Sequence, residues 1–297
     1  MKQPAPSHPL SSAAPPGWWL TLLTAGTMLA FAANSLLARL ALQTTAIDPA
    51  TFTATRLITG ALTLALIVWW QRQRLDTSLT GWLSAGLLFI YAAGFSYAYR
   101  GLDTGTGALL LFASAQLLMM GYGLVRGERL PLWGLLLALG GLVVFLWPGK
   151  AAAPPPPSAV VLMLCAGLAW GGFSLLGRAS QSPVVGTASS FVLAVPFTVV
   201  LLWAESAPLQ APPLGLLYAS VSGCITSALG YVLWYWVRVR MTPTTAGTVQ
   251  LSVPVLSALM GVALLAETMS LRSALSGAAV LLGVAWTMRA AQQRAKR

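Results

Sequence analysis

The stretch LAFAANSLLARLA, residues 29–41, lies inside a long apolar run and yet carries Asn34 and Arg39. Nearly the same phrase returns at residues 168–180 as LAWGGFSLLGRAS, with six of 13 positions identical at an offset of 139. Apolar bias makes some identity easy to obtain, so the phrase needs support from other positions.

That support comes from two further alignments. The same offset of 139 relates Glu128 in VRGERL to Glu267 in LLAETMSL. An offset smaller by one relates YAYRGLDTGTGA at 97–108 to YWVRVRMTPTTA at 235–246. The recurrence predicts that residues 1–150 and 157–297 are two copies of one structural unit.

The composition is typical of a membrane protein. Of the 297 residues, 57% are hydrophobic and only 8% are charged, whereas a soluble domain carries about 25% charged residues. The net charge of +11 does not indicate nucleic-acid binding, because the Lys and Arg residues are scattered singly between apolar blocks instead of being clustered on one face.

Apolar blocks of helix length follow one another along the chain, and the short alternating strands of a membrane barrel are absent. The sequence therefore predicts an all-α membrane protein with ten transmembrane helices. The predicted spans are 17–41, 51–71, 79–99, 104–125, 131–148, 158–177, 185–204, 213–237, 243–265 and 272–289.

The positive charges predict the orientation. With the N-terminus in the cytoplasm, 12 of the 17 Lys and Arg residues fall inside. The remaining five, which fall outside, are Arg39, Arg56, Arg100, Lys150 and Arg272. This bias predicts a multi-pass protein of the bacterial cytoplasmic (inner) membrane, with both termini cytoplasmic. Tryptophans near the predicted helix ends are expected to form an aromatic belt.

These predictions divide the chain into five parts. They are a disordered cytoplasmic tail (1–16), a first five-helix repeat (17–150), a Pro-rich external linker (151–157), a second repeat (158–290) and a basic cytoplasmic tail (291–297). Because five is odd, the second repeat inserts upside down relative to the first. Inverted repeats are characteristic of secondary transporters, in which two half-units enclose one site near the middle of the bilayer.

Three further segments complete the pattern: DPATFTATRLITGALTLAL (48–66), RGERL (126–130) and TPTTAGTVQLSVPVLSALMGVALLAE (242–267). With the two phrases above, they make the chain resemble the drug/metabolite transporter (DMT) superfamily, and specifically its EamA-type members with two repeated domains. The resemblance implies a central cavity lined by helices 1, 3, 4, 6, 8 and 9. Two departures lie in the first half, where Ala115 stands opposite Pro254 and TGTGA replaces the usual Pro-containing start of helix 4.

Polar residues inside a span are costly and commonly face a bundle interior or cavity. The predicted substrate-binding residues of this kind are Asn34, Ser35, Gln116, Ser174 and Gln250. Each has an alternative structural role, because Ser bonds its own helix backbone and Asn or Gln joins neighbouring helices.

Aromatic side chains at helical spacing form a second predicted group. Its members are Tyr91, Phe95 and Tyr99 in helix 3, Trp170 in helix 6, and Tyr231 and Tyr235 in helix 8. Such stripes are often core packing, but helices 3 and 8 are repeat partners. An aromatic wall would suit an aromatic or amphiphilic substrate through stacking or cation–π contacts.

The charged residues near span ends are interpreted first as structural. Arg39, Arg56 and Arg178 are expected to extend to the lipid headgroups, although Arg56 is also a candidate for binding a substrate carboxylate. Glu128 and Glu267 are expected to favour the N-termini of helices 5 and 10.

Three smaller features complete the prediction. Pro254 is a candidate hinge. Glycines in helices 5 and 10 are expected to permit close packing. Cys165 and Cys224 are expected to be buried.

These features favour a secondary transporter, most simply an exporter of amino acids or of amphiphilic or aromatic metabolites by alternating access. No P-loop, metal motif or cofactor signature is present, and the one histidine, His8, lies in the polar tail. An intramembrane enzyme is therefore disfavoured, and a non-transporting membrane scaffold is the main alternative. The expected partners are a small-molecule substrate and the lipid bilayer, without nucleic acid, for a monomer or a homodimer.

Overall fold

The computed structural model describes residues 17–125, 132–146, 155–177, 182–238, 240 and 249–295. Within these residues the chain forms ten helices and no strand, which confirms the predicted all-α class. The helices are α1 Gly17–Thr44, α2 Pro49–Trp70, α3 Leu79–Ala98, α4 Thr104–Val125, α5 Leu132–Leu146, α6 Pro157–Leu176, α7 Pro183–Ala204, α8 Pro213–Arg238, α9 Ser252–Leu265 and α10 Leu271–Ala295.

The helix bounds agree with the predicted spans to within three residues, except in α9 and α10. Only the later part of the predicted ninth span is described, and α10 continues to Ala295. Arg178, Glu128 and the tail 1–16 lie outside the described residues.

Local signals explain several helix starts. Asp48 caps α2, because its carboxylate accepts a hydrogen bond of 2.8 Å from the backbone N–H of Thr51, and Pro49 occupies the first helical position. The hydroxyl of Ser78 caps α3 in the same way. Proline also opens α6, α7 and α8, where its missing N–H costs nothing.

Seven of the described helices, α1 to α4 and α6 to α8, are long and apolar enough to cross a membrane. Shorter apolar stretches occur in α5, α9 and α10. Several tryptophans near helix ends are exposed, among them Trp18, Trp69, Trp70, Trp133 and Trp203. Because such surfaces would be unfavourable in water, this is a multi-pass membrane protein.

Helix α8 changes its hydrogen bonding along its length. It is α-helical over Pro213–Val221, π-helical over Ser222–Leu229 and α-helical again over Gly230–Arg238. A π-helix has i→i+5 hydrogen bonds, is rare, and occurs frequently at functional sites.

The most extensive helix packings all join a helix of the first half to a helix of the second. They are α5–α10, α3–α6, α1–α8, α2–α7, α4–α6, α2–α8, α3–α7, α4–α9 and α1–α9. The halves are therefore interleaved, and the centre of the molecule is built from both.

Interhelical loops meet at two ends of the bundle. At one end, Arg39 of α1 binds Glu267 between α9 and α10, and the backbone N–H of Asp48 donates to the carbonyl of Gln210. We call this the Arg39 end. It gathers the loops that follow α1, α3, α7 and α9.

At the opposite end, the hydroxyl of Ser189 in α7 accepts a hydrogen bond of 2.7 Å from the backbone N–H of Asp76. We call this the Asp76 end. It holds the loop between α2 and α3 and the start of α7.

The prediction of close packing through glycines of α5 and α10 is confirmed at Gly141 and Gly283 but not at Gly140, where an added side chain would meet nothing within 4 Å. A side chain on Gly141 would meet the backbone of Ser276 and Val280, and one on Gly283 would meet the backbone of α5. The cysteine prediction is wrong, because Cys165 is exposed on α6 and Cys224 is only half-buried. Cys165 lies on the outward face of its helix, and an apolar sequence does not reveal which face that is.

Candidate functional site

A buried polar cluster lies where α1, α2, α3 and α8 meet. The side-chain carbonyl of Asn34 accepts hydrogen bonds from Ser222 at 2.7 Å and from Thr226 at 3.0 Å. Its amide donates to the hydroxyl of Tyr91 at 3.4 Å. Asn34 and Tyr91 come from the first half and the other two residues from the second, so neither half forms the cluster alone.

The π-helical segment of α8 supplies the second-half side chains. Ser222, Thr226 and Ser227 share one face of the widened turn and point towards α1 and α2. Gly223 lets α2 approach this face, because a side chain there would collide with the hydroxyl of Thr59 and the α2 backbone. The wide turn and the glycine together place hydroxyl groups at the centre of the bundle.

Arg56 is the largest fully buried side chain in the described structure, with 1% of its surface exposed. Its Nη2 donates to the hydroxyl of Tyr91 at 2.8 Å, and its Nε donates to Ser227 at 3.0 Å. The guanidinium carbon lies 5.1 Å from the ring centroid of Tyr91 and 4.9 Å from that of Phe95. Its Nη1 is buried without any hydrogen-bond partner.

The interpretation of Arg56 as a headgroup-binding residue is wrong. It lies seven residues after the start of α2, which places it about 10 Å along the helix axis. Its side chain is enclosed by α3 and α8 instead of extending to the surface. It belongs to the central cluster.

No acidic residue in the described structure pairs with Arg56. The chain contains only six Asp and Glu residues, and the five described ones are engaged elsewhere. Asp48 caps α2, Asp76 binds Ser78, Asp103 and Glu267 bind Arg39, and Glu205 accepts from Tyr97. Among the described residues, the charge of Arg56 is therefore balanced only by hydroxyl groups and ring faces.

Aromatic rings surround the polar cluster, with Trp170 at their centre. Its ring centroid lies 5.0 Å from Tyr91, 5.0 Å from Tyr231, 5.6 Å from Phe173 and 6.2 Å from Phe31. The cavity between these rings and the cluster measures about 10 Å³, which is about the space of one water molecule. It is lined by Phe31, Asn34, Ser35, Tyr91, Phe95, Leu111, Phe112, Trp170 and Tyr231.

The Arg39 end above this cavity is closed by a charged network. The carboxylate of Glu267 accepts from Arg39 Nε at 3.2 Å and from the backbone N–H of Thr104 at 2.9 Å. Arg39 also donates to the carbonyl of Tyr99 at 3.0 Å and to Asp103 at 3.3 Å. Glu267 thus caps the N-terminus of α4 and not that of α10, which corrects the sequence-based expectation.

The Asp76 end contains a pocket of about 480 Å³. Its lining comes from α3, α6, α7 and α8 and includes Ser84, Phe173, Ser190 and Tyr235. Phe173 also packs against Trp170, with 5.6 Å between ring centroids. One aromatic residue therefore borders both this pocket and the ring cluster around the central cavity.

Comparisons with known proteins identify the chain. The sequence profile of the EamA-like transporter family matches residues 157–289. An uncharacterized protein of Pseudomonas aeruginosa is 48% identical over 267 residues, which cover 89% of this chain and 92% of the relative. The chain belongs to the EamA-like transporter family.

Two other relatives of this EamA-like transporter carry transporter names. An uncharacterized transporter of Archaeoglobus fulgidus is 25% identical and covers 89% of this chain and 95% of its own length. The uncharacterized transporter YwfM of Bacillus subtilis is 25% identical, over 80% of this chain and 83% of its own. A protein of known crystal structure, 18% identical, has the same fold with a TM-score of 0.68 over 93% of this chain and 99% of its own.

The structure of this EamA-like transporter brings seven of the predicted site residues together. They are Asn34, Ser35, Tyr91, Phe95, Trp170 and Tyr231, which line the central cavity, and Arg56, which bonds to its wall. Gln116 and Gln250 are buried and bond to each other at 3.4 Å across the two halves, without lining the cavity.

Other predicted residues lie elsewhere in the EamA-like transporter. Tyr99 lies at the Arg39 end, where its hydroxyl donates to the carbonyl of Thr104. Tyr235 lines the pocket of the Asp76 end, and Ser174 is half-buried and does not line the central cavity. Pro254 lies in the first turn of α9, three residues after an interruption of the helix at Leu251.

The sequence reasoning missed the polar residues of the π-helical segment. Ser222, Thr226 and Ser227 lie in SVSGCITSALG, residues 220–230, in the middle of a predicted span. Three hydroxyl residues within six positions of one span were the available signal. Their arrangement on one face depends on the π-helical turn, which the sequence pattern does not predict.

Proposed function

We propose that this EamA-like transporter is a secondary transporter that exports a small metabolite across the cytoplasmic membrane by alternating access. One observation carries the proposal: a buried polar cluster with an unpaired cation, built from both halves of the chain. Polar groups of this kind inside a membrane protein are costly and commonly mark a substrate path. A scaffold protein would have no use for them.

The proposed topology has ten membrane-spanning helices in two inverted repeats, 17–150 and 158–290. Exchanging every helix with its partner five positions along leaves the set of major packings unchanged: α3–α6 becomes α8–α1, and α4–α6 becomes α9–α1. This symmetry supports the proposed repeat. The family profile also supports it, because the matched residues 157–289 nearly coincide with the second repeat, 158–290. In this topology the Arg39 end faces outwards and both chain termini are cytoplasmic.

The proposed cycle begins from the described conformation, which is closed at the Arg39 end. A substrate enters the pocket of the Asp76 end from the cytoplasm. It reaches the central cavity when Phe173 and Trp170 separate, because the cavity of about 10 Å³ is too small for an organic molecule. Release to the outside requires Arg39 and Glu267 to part, with bending near Pro254 as a candidate hinge motion.

The purified full-length chain, reconstituted in proteoliposomes with a panel of labelled organic acids, amino acids and amphiphilic compounds, tests the function. We expect flux above that of protein-free liposomes for at least one compound. The Asn34→Leu substitution should lower that flux at least tenfold, because it leaves buried hydroxyl groups on α8 without their acceptor.

A matched control lies on the same helix. Thr27 is buried, and its hydroxyl bonds only to the carbonyl of Leu23 in its own helix, so Thr27→Val should preserve flux. Gln250→Leu should also lower flux, because it removes the hydrogen bond between Gln116 and Gln250 that links the two halves. Flux no greater than in empty liposomes across the panel would refute the transporter, and equal flux in Asn34→Leu and Thr27→Val would refute the central site.

A further inference from the structure

The Arg56 guanidinium has a hydrogen-bond donor that lacks an acceptor. Its Nε and Nη2 are bonded to Ser227 and Tyr91, but Nη1 is fully buried and has no partner. An arginine side chain remains protonated in proteins. A buried positive charge without a counter-charge is strongly unfavourable unless a ligand supplies one.

A second unpartnered group lies beside it. The hydroxyl of Tyr231 is buried and has no hydrogen-bond partner within 3.5 Å, although it lies close enough to Arg56 and Tyr91 to interact with both side chains. Tyr231 also lines the central cavity. Two buried donors therefore lie close together at the cavity: the Tyr231 hydroxyl in its wall and the charged Arg56 guanidinium directly behind it.

Resting on the transport function proposed above, we propose that Arg56 and Tyr231 bind the carboxylate of an apolar, ring-bearing monocarboxylate. Arginine recognises carboxylates through parallel N–H donors, and the tyrosine hydroxyl supplies another donor. The body of the substrate would lie among Phe31, Phe112 and Trp170, which belong to the apolar part of the cavity lining. Binding would convert the unpaired cation into a neutral pair.

The same geometry disfavours substrates with an ammonium group. The side-chain carbonyl of Asn34 already accepts two hydrogen bonds, from Ser222 and Thr226. The ring faces of Tyr91 and Phe95 are already occupied by Arg56. A free ammonium group would therefore meet a like charge without finding a carboxylate, so zwitterionic amino acids and cationic amphiphiles should bind poorly.

Three probes with one body and different charges test this inference. The full-length chain in nanodiscs is titrated calorimetrically with 3-phenylpropionate, 3-phenylpropionamide and 2-phenylethylammonium. We expect the anion to bind about 10- to 100-fold more tightly than the amide, the range expected for a hydrogen bond to a charged group, and the cation to bind more weakly than the amide.

Tyr231→Phe is the decisive variant, because the hydroxyl it removes has no hydrogen-bond partner within 3.5 Å in the described structure. It should weaken binding of the anion about three- to tenfold, the range expected for loss of one hydrogen bond, and weaken binding of the amide less, because a neutral oxygen accepts a weaker hydrogen bond. Tyr218→Phe on the same helix, away from the central cavity, is the control and should change neither. Arg56→Gln, if it remains monodisperse, should bind anion and amide equally.

Equal affinity of the wild-type chain for anion and amide would overturn the inference, as would an equal loss of both in Tyr231→Phe. The flux panel separates this failure from that of the proposed function. Flux of neutral or cationic compounds that depends on Asn34 but not on Arg56 would leave the transporter standing and reject the carboxylate site.

Discussion

Replacing Glu267 by glutamine should loosen the closed Arg39 end. The Glu267 and Arg39 side chains are only 10% and 14% exposed, and their charged atoms are 3.2 Å apart. At an effective dielectric constant of about 20, the direct attraction is about 5 kcal/mol, of which desolvation removes a large part. The substitution removes the charge but keeps the shape.

We expect a net loss of about 2 to 3 kcal/mol, the upper range for a hydrogen bond to a charged group. This corresponds to an increase of about 30- to 150-fold in the ratio of open to closed molecules at this end. Glu267 also accepts hydrogen bonds from the backbone and side chain of Thr104 at the N-terminus of α4. Because these contacts hold the Arg39 end closed, the substitution should change the equilibrium between its closed and open conformations.

Ser35 offers a sensitive position for the measurement. It is buried, lines the central cavity and lies one helical turn below Arg39 on α1. In a background with Cys165→Ala and Cys224→Ala, a Ser35→Cys variant is labelled with a membrane-impermeant thiol reagent applied to intact cells. When opening is a rapid pre-equilibrium, the labelling rate rises in proportion to the open fraction.

Asp103→Asn is the matched control. Asp103 also binds Arg39, at 3.3 Å, but its side chain is 53% exposed, and exposed ion pairs contribute about 0 to 1 kcal/mol. Its effect on labelling should stay below about fivefold. Labelling rates that are the same in Glu267→Gln and its parent would refute the assignment of this network as the outer gate.

Three further predictions concern stability, measured as the thermal midpoint in detergent. Partial burial raises the pKa of Asp48, but backbone hydrogen bonds from Thr51 and Gln210 outweigh it and hold the pKa below its usual 3.8. Asp48→Ala should therefore cost about 1 to 2 kcal/mol at pH 7, and this deficit should shrink as the pH falls below about 4, where the wild-type carboxylate becomes protonated. Gly223→Ala should cost about 1 to 3 kcal/mol, because the added methyl group collides with α2; an unchanged midpoint would contradict the close approach. Ala266→Gly should raise stability by about 0.5 to 1 kcal/mol, because Ala266 has a φ of 52°, a conformation that glycine adopts without strain.

Most helix bounds could be predicted from the sequence, because bilayer thickness sets the length of each apolar block and proline occurs at the first turn of several helices. A span needs about 20 apolar residues, and prolines open α2, α6, α7 and α8. Both features can be recognised from residues that are neighbours in the sequence. The exposed face of Cys165 and the path of Glu267 to α4 depend on tertiary packing, and for that reason the sequence did not reveal them.

The aromatic stripes were predicted on the correct faces but not at the correct depths. Tyr91 and Tyr99 share a face of α3, yet eight residues separate them by about 12 Å along the axis. Tyr91 therefore lies at the cavity, while Tyr99 binds Thr104 at the Arg39 end. Tyr231 and Tyr235 diverge in the same way towards the Asp76 end. Helical periodicity determines which face of a helix a residue occupies. Because the central cavity is short, a residue lines it only if it also lies at the right position along the helix axis.

The sequence-based interpretation of Arg56 depended on the residue at which α2 begins. Treating the span as beginning at residue 51 places Arg56 near the headgroups, whereas the cap at Asp48 and the proline at Pro49 begin the helix two residues earlier. The added depth of about 3 Å and the packing of α3 and α8 over the side chain bury the guanidinium. The sequence already limits the possible partners, because it contains only six acidic residues and none of them lies in the middle of a predicted span. A deep arginine in a membrane protein without a deep carboxylate leaves a positive charge unbalanced within the spans. The substrate carboxylate proposed above would supply the counter-charge when the cavity is occupied.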